Sequence, residues 1–170
     1  MMELKGVEKL NEVIEQFFIE LGYDEIECSL DLDFAYYVGT NEITYSLFQM
    51  EEADEGFKQY LNKVYPNIPK CSLFVISLLH ELGHHITIPQ YSKEKFEAWS
   101  IVKKLLEEQE ANTPEEKIEK QIKYCSLFDE AIATKTAIDI LIAEYDFIHS
   151  YEEKIFKAIL NFYEINQIEG

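Results

Sequence analysis

Between Ile26 and Phe34 this 170-residue chain alternates apolar and polar side chains, a period of two; almost everywhere else its apolar residues recur about every 3.6 positions. Ile26, Cys28, Leu30, Leu32 and Phe34 alternate with Glu25, Glu27, Ser29, Asp31 and Asp33, which predicts a strand with one wet face. "VGTNE" (Val38 to Glu42) reads as a turn, and Ile43, Tyr45 and Leu47 start a second alternating run. A small antiparallel sheet is expected. Before it, Val7, Leu10, Ile14, Phe17, Phe18 and Leu21 repeat at helical spacing, with Gly22 as C-cap. After Met50 the pattern is helical to the end. One helix runs from Glu52 to Tyr65 and stops at Pro66, and a second, strongly apolar one follows Pro69. Ser92 starts a third, to about Glu110. "TPEE" is a capping box on Thr113, "SLFD" marks another start, and "SYEE" (Ser150 to Glu153) predicts the beginning of the last helix. The fold class is therefore α+β, mostly α. No repeat, linker or boundary interrupts residues 1–170, which read as a single domain.

Charge narrows the partners. The formal net charge is -18, and every basic residue is Lys. Such a polyanion is repelled by nucleic acids and anionic membranes, so neither is expected as a direct partner. Three cysteines at no ligand-like spacing do not suggest a disulfide framework. Residues 1–10 contain no apolar signal region, and the longest apolar run, Leu73 to Leu79, is far too short to span a bilayer. The expected location is the cytoplasm.

Chemistry concentrates at "SLLHELGHHI" (Ser77 to Ile86), which holds three of the four histidines. His80-Glu81-Leu82-Gly83-His84 matches H-E-x-x-H. On a helix, positions i and i+4 lie above one another, so two imidazoles can face one metal ion. The Glu between them sits beside that ion and can take a proton from a water there. His80 and His84 are the candidate ligands, Glu81 the candidate general base and Zn2+ the expected cofactor. His85 points elsewhere on the helix and suits a packing or hydrogen-bonding role, and His149 suits the surface.

A catalytic zinc takes a third protein ligand and keeps one open position. No histidine remains in a suitable place, and the chain after His84 lacks the metzincin extension. A carboxylate is expected. Glu130 is preferred, because Ala131, Ala133 and Ala137 would let its helix approach the motif helix closely, and Glu130, Thr134, Ala137 and Leu141 share one stripe. Glu97 and Asp129 remain alternatives, the latter more naturally a first-turn charge, and Cys125 an outsider.

"LLHELGHHIT" (Leu78 to Thr87) and "EAIATKTAIDIL" (Glu130 to Leu141) resemble the gluzincin metallopeptidases, and within them the short ImmA/IrrE-type and phage-encoded families. The resemblance implies a zincin-like domain with its small sheet before the H-E-x-x-H helix and several helices after it. It implies His80, His84 and Glu130 as ligands, Glu81 as base, and a peptide or protein substrate, with a transcriptional repressor as one such partner. Many gluzincins carry an Asp four residues after the Glu ligand to support a histidine; this chain has Thr134 there.

The function expected is zinc-dependent peptide-bond hydrolysis, with the oxyanion donor to be found among Tyr91, Tyr124, Tyr145 and Tyr151. The strand around Ile43 to Leu47 could align an extended peptide by edge pairing. The alternative is a non-catalytic or vestigial zinc-binding protein that works through protein–protein contact.

Overall fold

The computed structural model describes residues 4–48 and 50–167. It is mostly helical, with one three-stranded sheet. Two compact units emerge, residues 1–47 with 144–170, and residues 48–143. Among the described residues, no helix is long and apolar enough to cross a membrane.

The first unit holds α1 (Val7–Glu20), β1 (Glu27–Leu30), β2 (Ala35–Tyr37), β3 (Glu42–Tyr45) and α7 (Tyr145–Asn166). Its core joins Leu10, Ile14, Phe17 and Phe18 of α1 to Ile148, Ile155, Ile159 and Phe162 of α7, with Cys28, Ile43 and Tyr45 from the sheet. Phe17 stacks on Phe147 with ring centroids 6.0 Å apart. Gly22 ends α1 as expected: its φ of 104° is one that side chains resist, and Tyr23 N–H returns to Phe18 O at 2.9 Å.

The sheet corrects the antiparallel expectation. Strand order is β1-β3-β2, with β2 antiparallel to β3 but β1 parallel to it. The alternating run breaks after Leu30. Asp31 Oδ1 accepts from Leu32 N–H at 2.7 Å, and Thr44 Oγ1 donates to Asp33 O at 2.8 Å, which fixes a bend there. Leu32 is left exposed. This bend and the turn at Val38–Asn41 make two reversals, so β3 runs the same way as β1. A second correction follows. β3 is the central strand, paired on both sides, and offers no free edge to a peptide.

The second unit holds α2 (Glu51–Val64), α3 (Leu73–Thr87), α4 (Lys93–Glu107), α5 (Pro114–Cys125) and α6 (Phe128–Ala143), with a 3-10 turn at Ile88–Gln90. α3 packs on α6, and α2 on α5. The starts of two helices follow the sequence signals: Ser92 Oγ accepts from Lys95 N–H, and Thr113 forms both halves of its capping box with Glu116. α3, expected after Pro69, is capped by Ser72, whose Oγ accepts from Val75 N–H. The last helix does not begin at "SYEE". α7 starts at Tyr145, and Ser150 lies inside it. Ile148, ahead of that pattern, is fully buried on the same face as Ile155. Burial of an apolar face outweighs a capping signal that contributes about 1 kcal/mol.

Candidate metal centre

α3 is held by its apolar face. Val75, Ile76, Leu78, Leu79 and Leu82 are all buried, several of them completely. That packing fixes the helix's rotation and turns His80 and His84 towards α6. The two rings stand nearly perpendicular, with centroids 4.7 Å apart. Phe57 of α2 presents an edge to His80 at 5.9 Å.

α6 brings Glu130 to them. Its Oε1 lies 3.1 Å from His80 Nε2 and its Oε2 lies 2.8 Å from His84 Nε2. One donor atom from each of the three residues lies within 4.8 Å of the others, and among the described residues no other such group of His, Cys, Asp and Glu occurs. A tetrahedral zinc holding ligands at about 2.0–2.1 Å spaces them roughly 3.3 Å apart, close to these separations. Two imidazole nitrogens and one carboxylate oxygen also form a recurrent catalytic zinc set. The residues present fit the ion.

The reach of Glu130 depends on how closely two backbones meet. A Cβ added to Gly83 would lie 2.3 Å from Ala133 O and 3.0 Å from Ala133 Cα. Ala133 and Ala137 are fully buried, whereas Ala131 is half-buried. Ala133 serves the close approach expected of it, and Gly83 is its unanticipated other half. A glycine inside a helix costs about 1 kcal/mol against alanine, a signal that the position is reserved for packing.

The other candidates fall elsewhere. Glu97 is exposed on α4 and faces Lys93 at 3.9 Å. Asp129 is buried but bonds Lys103 rather than a histidine. Cys125 is buried outside the cluster, with Gln121 Nε2 3.8 Å from its sulfur. His85 is half-buried and is not part of the group. His149 is exposed on α7 and stacks against Tyr145.

A shell of polar groups surrounds the cluster. Thr134 Oγ1 lies 2.9 Å from His80 Nδ1. In the tautomer that leaves Nε2 bare, Nδ1–H donates to that hydroxyl, so Thr134 can hold the orientation of the ring. Thr134→Val should weaken zinc binding by about tenfold, measured by competition with a chromophoric chelator. His84 Nδ1 is buried without a hydrogen-bond partner among the described residues.

Glu81 is buried between the two histidines in sequence, only 8% exposed. Burial pushes its carboxyl up to about 7, an effect that nearby Glu130 reinforces and His80 and Lys103 oppose. For Glu130, burial also raises the pKa, but hydrogen bonds and charge from His80 and His84 outweigh it and hold the carboxyl well below the usual range.

Sequence reasoning missed Lys103. Its ammonium bonds Asp129, reaches Glu130 Oε2 at 2.7 Å, and lies 5.7 Å from the centre of the Tyr124 ring. Burial opposes the charged ammonium, but Glu130 and Asp129 outweigh that and raise its pKa. A trace was present in the sequence. Phe96, Trp99, Lys103 and Leu106 share one side of α4, so Lys103 is a cation inside an apolar stripe.

Of the four tyrosines considered, Tyr124 is the one coupled to the cluster. Burial, then the charges of Glu130 and Glu81, push its hydroxyl far above the usual range, so it stays a proton donor. Tyr91 packs its ring edge on Trp99, and its hydroxyl is buried without a partner among the described residues. Tyr145 and Tyr151 belong to the first unit, where Tyr151 donates to Val13 O. Tyr124 also lines a cleft of about 840 Å³ with Glu51, Ala53, Leu106, Glu107 and Gln121. Comparison with protein-family models, curated proteins and solved structures finds no match to this chain.

Proposed function

We propose that the second unit carries a zincin-like centre that hydrolyses peptide bonds. The observation behind the reading is the convergence of His80 Nε2 and His84 Nε2, one turn apart on α3, on the carboxylate of Glu130 from α6. His80, His84 and Glu130 would hold a zinc ion. A zinc ion held there would supply Lewis acidity to the scissile carbonyl and to the attacking water.

The chain's own residues carry the remaining steps. Glu81 takes the proton of the attacking water and passes it to the leaving amine. Thr134 keeps His80 in the ligating orientation. Tyr124, whose ring centre lies 5.7 Å from the Lys103 ammonium, offers its hydroxyl to the oxyanion. The substrate is a peptide or protein segment; the motif resemblance alone extends this to a protein regulator such as a repressor, met in the cytoplasm.

The test starts with the metal. The purified protein should retain one zinc per chain, Glu97→Gln should keep it, and His84→Ala and Glu130→Gln should lose it. Hydrolysis of a quenched-fluorescence peptide mixture should stop with chelator and return with zinc. A protein that takes up no zinc, or one that keeps it without His84 and Glu130, defeats the proposal.

A further inference from the structure

Lys103 makes an arrangement that a zinc site of three ligands and a base does not require. It is a half-buried cation, its side chain 20% exposed, and it spans two carboxylates that are buried. Burying an ammonium is costly unless hydrogen bonds replace its water. Both replacements are neighbours in sequence, Asp129 and Glu130, and the oxygen it takes on Glu130 is the one 2.8 Å from His84 Nε2.

The rest of α4 is mostly exposed. Leu106 is its one buried residue, and Ile101, Val102 and Leu105 are exposed. Lys103 lies on the side of α4 that also carries Phe96, Trp99 and Leu106, so the helix turns it inward and its charge needs partners there. A link between two helices would be met by Lys103 and Asp129 alone. The second bond, to Glu130, is the one that bears on the histidines. A carboxylate has a free rotation about its last bond, and ligating carboxylates are commonly held by an outer hydrogen bond. Among the described residues, the carboxylate of Glu130 bonds the two histidines and Lys103, and of these Lys103 is the one that is not a candidate ligand.

We propose that Lys103 is a positioning residue for the metal centre: anchored by Asp129, its ammonium fixes the rotation of the Glu130 carboxylate against the two imidazoles. The inference rests on the zinc reading above and adds to it a group that sets the affinity of the site without touching the metal. Asp129, considered as a ligand on sequence grounds, becomes the anchor of that group.

Lys103→Met alone leaves Asp129 buried and unpaired, and such a protein can fail to fold. The informative variant is Lys103→Met with Asp129→Asn, which neutralises the pair together. Folding is checked by unfolding of the metal-free proteins. Zinc affinity is read by chelator competition, and geometry by the visible spectrum of the cobalt-loaded protein. The double variant should bind zinc about 10- to 100-fold more weakly than wild type and show an altered cobalt spectrum. Lys103→Arg, which keeps a cation for both carboxylates, should restore most of the affinity. Wild-type affinity together with an unchanged cobalt spectrum in the double variant overturns the inference alone, provided His84→Ala abolishes binding. A wild type that binds no zinc overturns the zinc reading and this inference with it.

Discussion

Glu81→Gln should leave a protein that folds and binds zinc like the wild type but hydrolyses peptides about 10²- to 10⁴-fold more slowly, the range typical of losing a general base. Glutamine has nearly the shape of glutamic acid, and Glu81 lies outside the His80–His84–Glu130 group of donor atoms. Metal content should therefore be untouched while proton transfer is lost. The comparison requires zinc analysis and initial rates on the same samples. Equal rates in variant and wild type would remove Glu81 from the chemistry.

The same pair of proteins reports on burial of the acid in the metal-free state. The folded-state value of about 7 lies above the usual 4.5 because burial penalises the charged form. As pH rises from 4.5 towards 7, the unfolded chain releases this proton first, so ionisation favours unfolding. The wild type should lose stability relative to Glu81→Gln across that window, and the difference should level off above about 7. Denaturant unfolding of both proteins at several pH values measures it. A difference that does not change with pH would mean that the acid is not held in a dehydrating environment.

Gly83→Ala should be the most damaging single-methyl change in the second unit. In an open helix this substitution stabilises by about 1 kcal/mol, so the sign of the result is diagnostic. At Gly83 the added Cβ meets Ala133 O at 2.3 Å, Ala133 C at 2.9 Å and Ala133 Cα at 3.0 Å. All three are backbone atoms, and no side-chain rotation relieves the contact. α3 and α6 must separate, at a cost of about 1–3 kcal/mol from overpacking that exceeds the helix-propensity gain. Separation also draws Glu130 away from the histidines, so zinc affinity should fall more than in Thr134→Val. Unfolding curves and chelator competition test both parts. A stabilised variant with normal zinc affinity would mean that the helices do not meet as closely as the backbone contact requires.

The shared face of the two H-E-x-x-H histidines was legible in the sequence because its geometry is local. A rise of 1.5 Å per residue and 3.6 residues per turn place His80 and His84 on one face whatever surrounds them. Helix starts at Ser92 and Thr113 were legible for the same reason, since a cap satisfies N–H groups within three residues of itself. The "SYEE" start failed where a local signal competed with burial of Ile148 on a continuous helix. The sheet failed in its direction because strand order depends on the number of reversals, and the bend at Asp31–Phe34 was hidden inside an unbroken alternation.

The nearness of Glu130 to the histidines was an inference from small residues at helical spacing, and tertiary packing turned it into distances of 2.8 and 3.1 Å. Only the packed structure could choose Lys103, which comes from a third helix and whose partners lie 26 and 27 positions away. A periodicity states which face a residue occupies on its own helix. Which side chain of another helix faces it is decided by how the helices pack, here with Gly83 against the Ala133 backbone, a contact that leaves no room for a side chain and so lets α3 and α6 come close.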